Sequence, residues 1–289
     1  MTDKPQSADG YSPEQVRRVR QTLLYVASKL GDLMEDVVVV GGLVPSLLVP
    51  QSRRLQGVPR HVGTTDLDLG LALVILSSRR YRMLTERLRD AGFSQDRNPA
   101  GRPTRQRWKI EPKKNVKVTV DFLMAPSSKS DRGGTLRNIE RDFAALITEG
   151  LPLAFRDRRQ VRLSGKTLLG ERASKEVWVC GPAAFLVLKA LAFRNRGENK
   201  DAYDIYYIVR NFGSGPEEVG REITKLLDDP VAALALRILR EDFLHSEGLG
   251  PMRAVSFLLG RGTDDPAMRS DIVAFVQTLL ESARRPEAP

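Results

Sequence analysis

The sequence predicts an α+β chain, a mixed sheet with helices followed from about residue 180 by an all-helical part. Three observations predict it. Four valines in a row, residues 37–40, have the unbroken apolar character of a strand covered on both faces. The stretch 65–75, TDLDLGLALVI, alternates with the period of two that marks a second strand. Beyond Pro182 the apolar positions recur every three or four residues. With 289 residues, 41% of them hydrophobic and 28% charged, the chain is large enough for one large domain or two modest ones. The expected division is a flexible tail over 1–10, a first domain over 11–179 and a helical domain over 180–289 that packs closely on the first and shares its cleft.

Each element follows from its residues. Ser12-Pro13-Glu14 reads as an N-cap with proline at the first helical position, opening a helix to about residue 33. Its stripe is Val16, Val19, Leu23, Val26, Ala27 and Leu30. Gly41-Gly42 stops the valine strand, a short apolar helical segment follows, and prolines with Arg53, Arg54 and Arg60 make a loop. Residues 77–91 form an arginine-rich helix. A hairpin has arms over 105–111 and 116–124 and turns through Pro112-Lys113-Lys114-Asn115. A loop over 126–135, a helix over 138–149 and short strands over 151–179 complete the first part. Helices are expected over 183–194, 199–211, 216–227, 230–244, 251–260 and 266–284.

Composition excludes several classes. No apolar run approaches the roughly 20 residues that span a bilayer, and the polar N-terminal stretch lacks the apolar core of a signal peptide, so the expectation is a cytoplasmic chain with no membrane partner. The single cysteine, Cys180, forbids an internal disulfide, and with only two histidines, His61 and His245, a Cys/His zinc site cannot be assembled. Carboxylates must hold any metal. The formal net charge of +10 favours polyanionic partners. The stretch 97–117 concentrates it, with Arg97, Arg102, Arg105, Arg107, Lys109, Lys113, Lys114 and Lys117 against Glu111. Arg105, Arg107, Lys113 and Lys114 are candidate RNA contacts, with Trp108 to stack on an RNA end. A solvated hairpin is the competing reading.

Two carboxylates dominate the second strand. Alternate side chains share a face, so Leu67, Leu69, Leu71 and Leu73 supply the core while Asp66, Asp68, Gly70 and Ala72 face the other way. The two aspartates stand about 7 Å apart along the strand, able to share a divalent cation. Asp121 lies on the polar face of 116–124, and if that arm pairs beside the second strand all three converge. Such a triplet is what two magnesium ions need to activate a hydroxyl and hold a triphosphate. Gly41-Gly42 lets backbone approach a phosphate there. Taken singly, each aspartate also reads as a solvated or turn-capping carboxylate.

A strand, Gly-Gly, a D-x-D strand and a later strand with one more aspartate resemble, in that order, the nucleotidyltransferase fold of the DNA polymerase beta type. The gap of 23 residues between Gly42 and Asp66 is longer than usual in that family. Residues 186–208, LVLKALAFRNRGENKDAYDIYYI, narrow the likeness to the AbiEii/AbiGii (MenT-like) family of nucleotidyltransferase toxins, over roughly residues 37–210. The resemblance implies two magnesium ions on Asp66, Asp68 and Asp121, a nucleoside triphosphate substrate, transfer to RNA such as the 3′ end of transfer RNA, and a cognate antitoxin protein. It implies that Gly41, Gly42, Thr65, Lys189, Lys200 and Asp201 contact the nucleotide, and that Asp201 and Asp204 orient Lys189 or complete the cleft. Asp66→Ala or Lys189→Ala is then expected to abolish transfer with the fold intact. Against these roles, Lys189 also reads as a snorkelling lysine, Asp201 as an ordinary first-turn acid, Arg194 and Arg196 as a solvated turn, and Tyr203, Tyr206 and Tyr207 as core. Cys180 reads as a structural thiol and His61 as a loop histidine. Two rival functions remain: transfer to a protein or small molecule, and a non-catalytic nucleic-acid-binding module.

Overall fold

The computed structural model describes residues 4–49, 60–73, 78–113, 116–140 and 142–283. The chain divides into two compact units. The first holds Lys4, residues 13–44 and residues 63–180; the second holds residues 5–12, 45–49, 60–62 and 181–283. Arg53, Arg54 and Lys114 lie outside the described residues.

The described strands of the first unit form one nine-stranded mixed sheet. They are β1 (Val37–Val40), β2 (Asp66–Leu71), β3 (Ser94–Arg97), β4 (Pro103–Lys113), β5 (Val116–Met124), β6 (Leu136–Glu140), β7 (Phe143–Ile147), β8 (Arg158–Lys166) and β9 (Arg172–Cys180). The order is β3-β4-β5-β2-β1-β9-β8, with β7 joining β5 and β6 joining β7. β1 runs antiparallel to β2 and parallel to β9, so both its edges are paired. All four valines are at most 2% exposed, as an apolar run requires. The helices of this unit are α1 (Pro13–Leu30), α2 (Val44–Leu48), which runs on into the second unit, α3 (Ser78–Asp90) and α4 (Leu151–Arg156). Val19, Leu23, Val26, Ala27 and Leu30 of α1 are buried, and a 3-10 segment, Gly31–Asp36, carries the chain from α1 into β1.

Three expectations change. The stretch 138–149 is no helix; it closes the β6–β7 hairpin, whose strand β7 pairs parallel to β5 through Leu123↔Leu146 and Met124↔Ile147. A five-residue apolar run, FAALI, suits either period, and the end of β5 past its pairing with β4, at Leu123 and Met124, decides for a strand. Residues 151–156 form α4, and the strands after it span nine residues each. Leu73 lies past the end of β2 and is 44% exposed, so it supplies no core. A 3-10 turn spans Ala8–Gly10, and Tyr11 stands edge-on to Phe257 at 5.8 Å.

The second unit is helical: α5 (Pro182–Arg196), α6 (Asn199–Asn211), α7 (Pro216–Thr224), α8 (Pro230–Phe243), α9 (Leu249–Leu259) and α10 (Pro266–Ser282). α5 is apolar on nearly every side and packs against α6, α7 and α8. Proline at the first or second position starts α5, α7, α8 and α10, and Gly197, at φ 63°, ends α5.

Candidate active site

Sheet register builds the site in the first unit. β2 and β5 pair in parallel with Asp68 opposite Asp121 and Asp66 opposite Thr119. β4 pairs antiparallel on the far side of β5, with Arg107 opposite Asp121 and Lys109 opposite Thr119. Paired residues share a face. Two rows therefore cross three strands, Arg107–Asp121–Asp68 and Lys109–Thr119–Asp66. The opposite face carries Leu67, Val120 and Trp108 in one row, with Leu69 and Phe122 in the next. The period of two thus separates a charged face from a core.

One oxygen each of Asp66, Asp68 and Asp121 lies within 4.8 Å of the others. Asp66 is buried, and Asp68 and Asp121 are half-buried. Three carboxylate oxygens at that spacing could bind a metal ion. Gly41 follows β1 at φ 72°, a conformation that L side chains rarely adopt. A Cβ there would stand 1.9 Å from Asp68 Oδ2. Glycine is required both for the turn and for the carboxylate packed against it. Gly42 is buried beside it. Thr65 is half-buried just ahead of β2, and its neighbour Thr64 makes the contact, donating from Oγ1 to Asp66 Oδ1 at 2.8 Å.

Two cations lie among these carboxylates. Arg107 forks onto Asp121, Nε to Oδ1 at 2.6 Å and Nη2 to Oδ2 at 2.5 Å, and its Nη2 is 3.7 Å from Asp66 Oδ2. Lys4 Nζ is 3.0 Å from Asp66 Oδ2. Burial works against the charge on Asp66, but Lys4, the Thr64 hydroxyl and Arg107 outweigh it and hold the carboxyl at about 2. Asp121 moves the other way, because burial and the nearby Asp66 charge together exceed the pull of Arg107. The Asp121 fork in turn raises Arg107.

The expected RNA contacts are mostly engaged elsewhere. Trp108 is 1% exposed, packed on Phe143 with ring centroids 5.9 Å apart, and is not available to stack on a base. It falls on the core face because it alternates with Arg107 and Lys109. Arg105 donates to Asn138 Oδ1 at 3.0 Å, Lys109 pairs with Glu111 and Lys117 with Asp96. Lys113 is exposed at the end of β4. Exposed cations also stand on the β8–β9 ribbon, at Arg162, Lys166, Arg172 and Lys175.

A second polar cluster is buried in the helical unit. Lys189 on α5 lies between Asp201 and Asp204 of α6, at 2.8 and 2.6 Å. Lys200 reaches both oxygens of Asp204, at 2.8 and 3.0 Å, and Arg196 forks onto Asp201 at 2.7 and 2.8 Å. Arg194 joins Glu241 and Asp242 instead. Burial works against the lysine charge, but the two aspartates override it and raise Lys189; burial lowers Lys200. The cations keep Asp201 and Asp204 ionised against burial. His61, read from sequence as a loop histidine without a partner, is 2.9 Å from Asp204 Oδ1, stacked on Tyr203 and edge-on to Tyr207. Sequence separation hid it, since the partners are 143 positions apart. Asp201 and Asp204 share one helix face, one turn apart, and this spacing was the legible part.

No family model matches the chain, and no curated protein matches its sequence.

Proposed function

We propose that this chain is a metal-dependent nucleotidyltransferase that moves a nucleoside monophosphate from a nucleoside triphosphate to an RNA 3′-hydroxyl, with the 3′ end of transfer RNA as the acceptor and a role as the toxin of a toxin–antitoxin pair. The observation that carries the chemistry is the convergence of Asp66, Asp68 and Asp121 beside the Gly41 turn. Magnesium held by these carboxylates would supply charge neutralisation for the triphosphate and acidify the attacking hydroxyl. In the transfer, the hydroxyl oxygen forms a bond to the α-phosphorus, the bond to the bridging oxygen breaks and pyrophosphate leaves. Asp121, beside Asp66 and Asp68, takes the hydroxyl proton. Arg107 holds both oxygens of Asp121 in place. The Gly41–Leu43 turn brings backbone close to the carboxylates, where phosphates would lie. The exposed cations of the β8–β9 ribbon supply charge for an RNA backbone.

The test incubates the protein with magnesium, total RNA and each α-labelled triphosphate in turn, with Asp66→Ala as control. Label in a transfer-RNA-sized band from one nucleotide, lost in the variant, is the expected result; wild-type activity in Asp66→Ala would end this reading. A second acceptor class, a protein or small molecule, is favoured by one observation: Arg105, Arg107, Lys109 and Lys117 of the basic run all have partners within the chain. Label on such an acceptor and none on RNA would decide for it.

A further inference from the structure

Resting on the RNA-directed transfer proposed above, we infer that the far end of the β8–β9 ribbon is a docking site for the acceptor's phosphate backbone, where Lys166 and Arg172 hold the body of the RNA about 30 Å from the carboxylates.

Register sets the surface. Paired residues share a face, so Lys166 with Arg172, Ser164 with Ser174 and Arg162 with Glu176 stand together on one side of the ribbon. The alternate residues Leu163 and Val177 are each 1% exposed, so theirs is the buried side. The outward side thus ends in two exposed cations directly opposite each other. Like charges in that position destabilise a ladder, and an anion between them removes the cost. Residues 158–180 hold six cations and two acids, and both acids are engaged elsewhere. Glu176 pairs with Arg162 at 3.3 Å, and Glu171 bears on Tyr25 of α1, whose phenol is raised by burial and then by that carboxylate. Among the described residues neither Lys166 nor Arg172 enters an ion pair. Protection of the β8 edge accounts for a charge on that strand and not for a second cation set opposite it on β9.

The same end has room for a ligand. A recess of about 470 Å³ is lined by Gly165, Lys166, Arg172, Ala173 and Ser174. Gly165 pairs with Ala173, and a Cβ on the glycine would meet nothing within 4 Å. The Ser164 and Ser174 hydroxyls are 2.8 Å apart and share one hydrogen bond, which leaves one proton to donate. Two cations and a hydroxyl around an open recess match a phosphodiester.

Distance decides which part of the acceptor docks. Asp68 pairs with Val40, Val39 with Val179 and Cys180 with Arg158, so β8 begins level with the aspartates, three strand spacings or about 14 Å away. Lys166 lies eight residues further along β8, about 27 Å. A reacting 3′ end at the carboxylates does not touch this pair. A polynucleotide reaches both places, and a small acceptor does not.

The experiment reads the anisotropy of 5′-labelled total transfer RNA on the full chain, with transfer of α-label followed on the same preparations. Lys166→Gln with Arg172→Gln is expected to weaken binding at least about fivefold at about 100 mM salt and to lower the salt slope by about 1.5. Arg221→Gln with Arg237→Gln, the same charge change at exposed arginines of the helical unit, should stay within about twofold. Unchanged binding in a folded ribbon variant, or an equal loss in the control pair, would overturn the inference; wild-type label on RNA would then leave the transfer reading standing. Competition by polyglutamate as strong as by unlabelled transfer RNA would assign the surface to an acidic protein and overturn it too. No label on RNA from the wild type would remove the reading and the inference with it. A second measurement needs no variant: transfer RNA should slow acetylation of Lys166 several-fold in the wild type, with Lys225 as the unshielded reference. Lys166 left unshielded by saturating RNA would sink the docking site.

Discussion

At Gly41 a missing side chain does chemical work. Its φ of 72° and the 1.9 Å approach of Asp68 Oδ2 to an added Cβ leave no room for alanine. Gly41→Ala is expected to lose about 1–3 kcal/mol of stability and to turn Asp68 away. The check is a magnesium-induced rise in melting temperature, present in the wild type and absent in the variant. His61 is a second residue-scale test. Burial pulls its imidazole down to about 4 against the ordinary 6.5, with Asp204 opposing. The unfolded chain takes up that proton first as pH falls. Stability from a neutral His61 is therefore full above about pH 6.5 and drains away as pH falls to about 4, by about 3 kcal/mol in total. Thermal unfolding across that window should show the decline in the wild type and a shallower one in His61→Gln; identical slopes would refute it. Lys189 needs a revised expectation. Sequence suggested that Lys189→Ala spares the fold, but its ammonium neutralises two fully buried carboxylates. Removing it should cost about 3–5 kcal/mol, measurable by denaturant unfolding.

Among the elements, the long helices and the valine strand were legible and the apolar run of β7 was not. α5 and α6 begin and end within two residues of expectation because proline and glycine punctuate them. β7 was missed because FAALI has no period of its own. Its identity comes from Leu146 and Ile147 meeting Leu123 and Met124, and from Phe143 packing on Tyr81, Phe122 and Trp108 at 5.2, 5.0 and 5.9 Å. Phe143→Ala should cost about 3–5 kcal/mol, read in the same denaturant unfolding. Had residues 138–149 been a helix with Phe143 on its outer side, the loss would be near zero.

For the molecule as a whole, net charge of +10 bears on partners rather than on fold. If RNA is the acceptor, affinity should fall at least about tenfold between 50 and 200 mM salt, and Lys166→Glu with Arg172→Glu should flatten that slope. Binding by anisotropy that ignores salt would remove the electrostatic case for RNA. Among the described residues no helix is long and apolar enough to cross a membrane. The α+β class, the valine strand, the leucine face of β2 and the aspartates at 66, 68 and 121 are local properties of the chain, set by side-chain period and glycine, and were readable from residues in order. Which strand joins which edge was not. Parallel pairing of β2 with β5 and the β4 register put Arg107 rather than solvent beside Asp121, and long-range burial put His61 against Asp204. Those contacts join positions far apart in sequence, and only packing of the whole sheet or helical unit selects them.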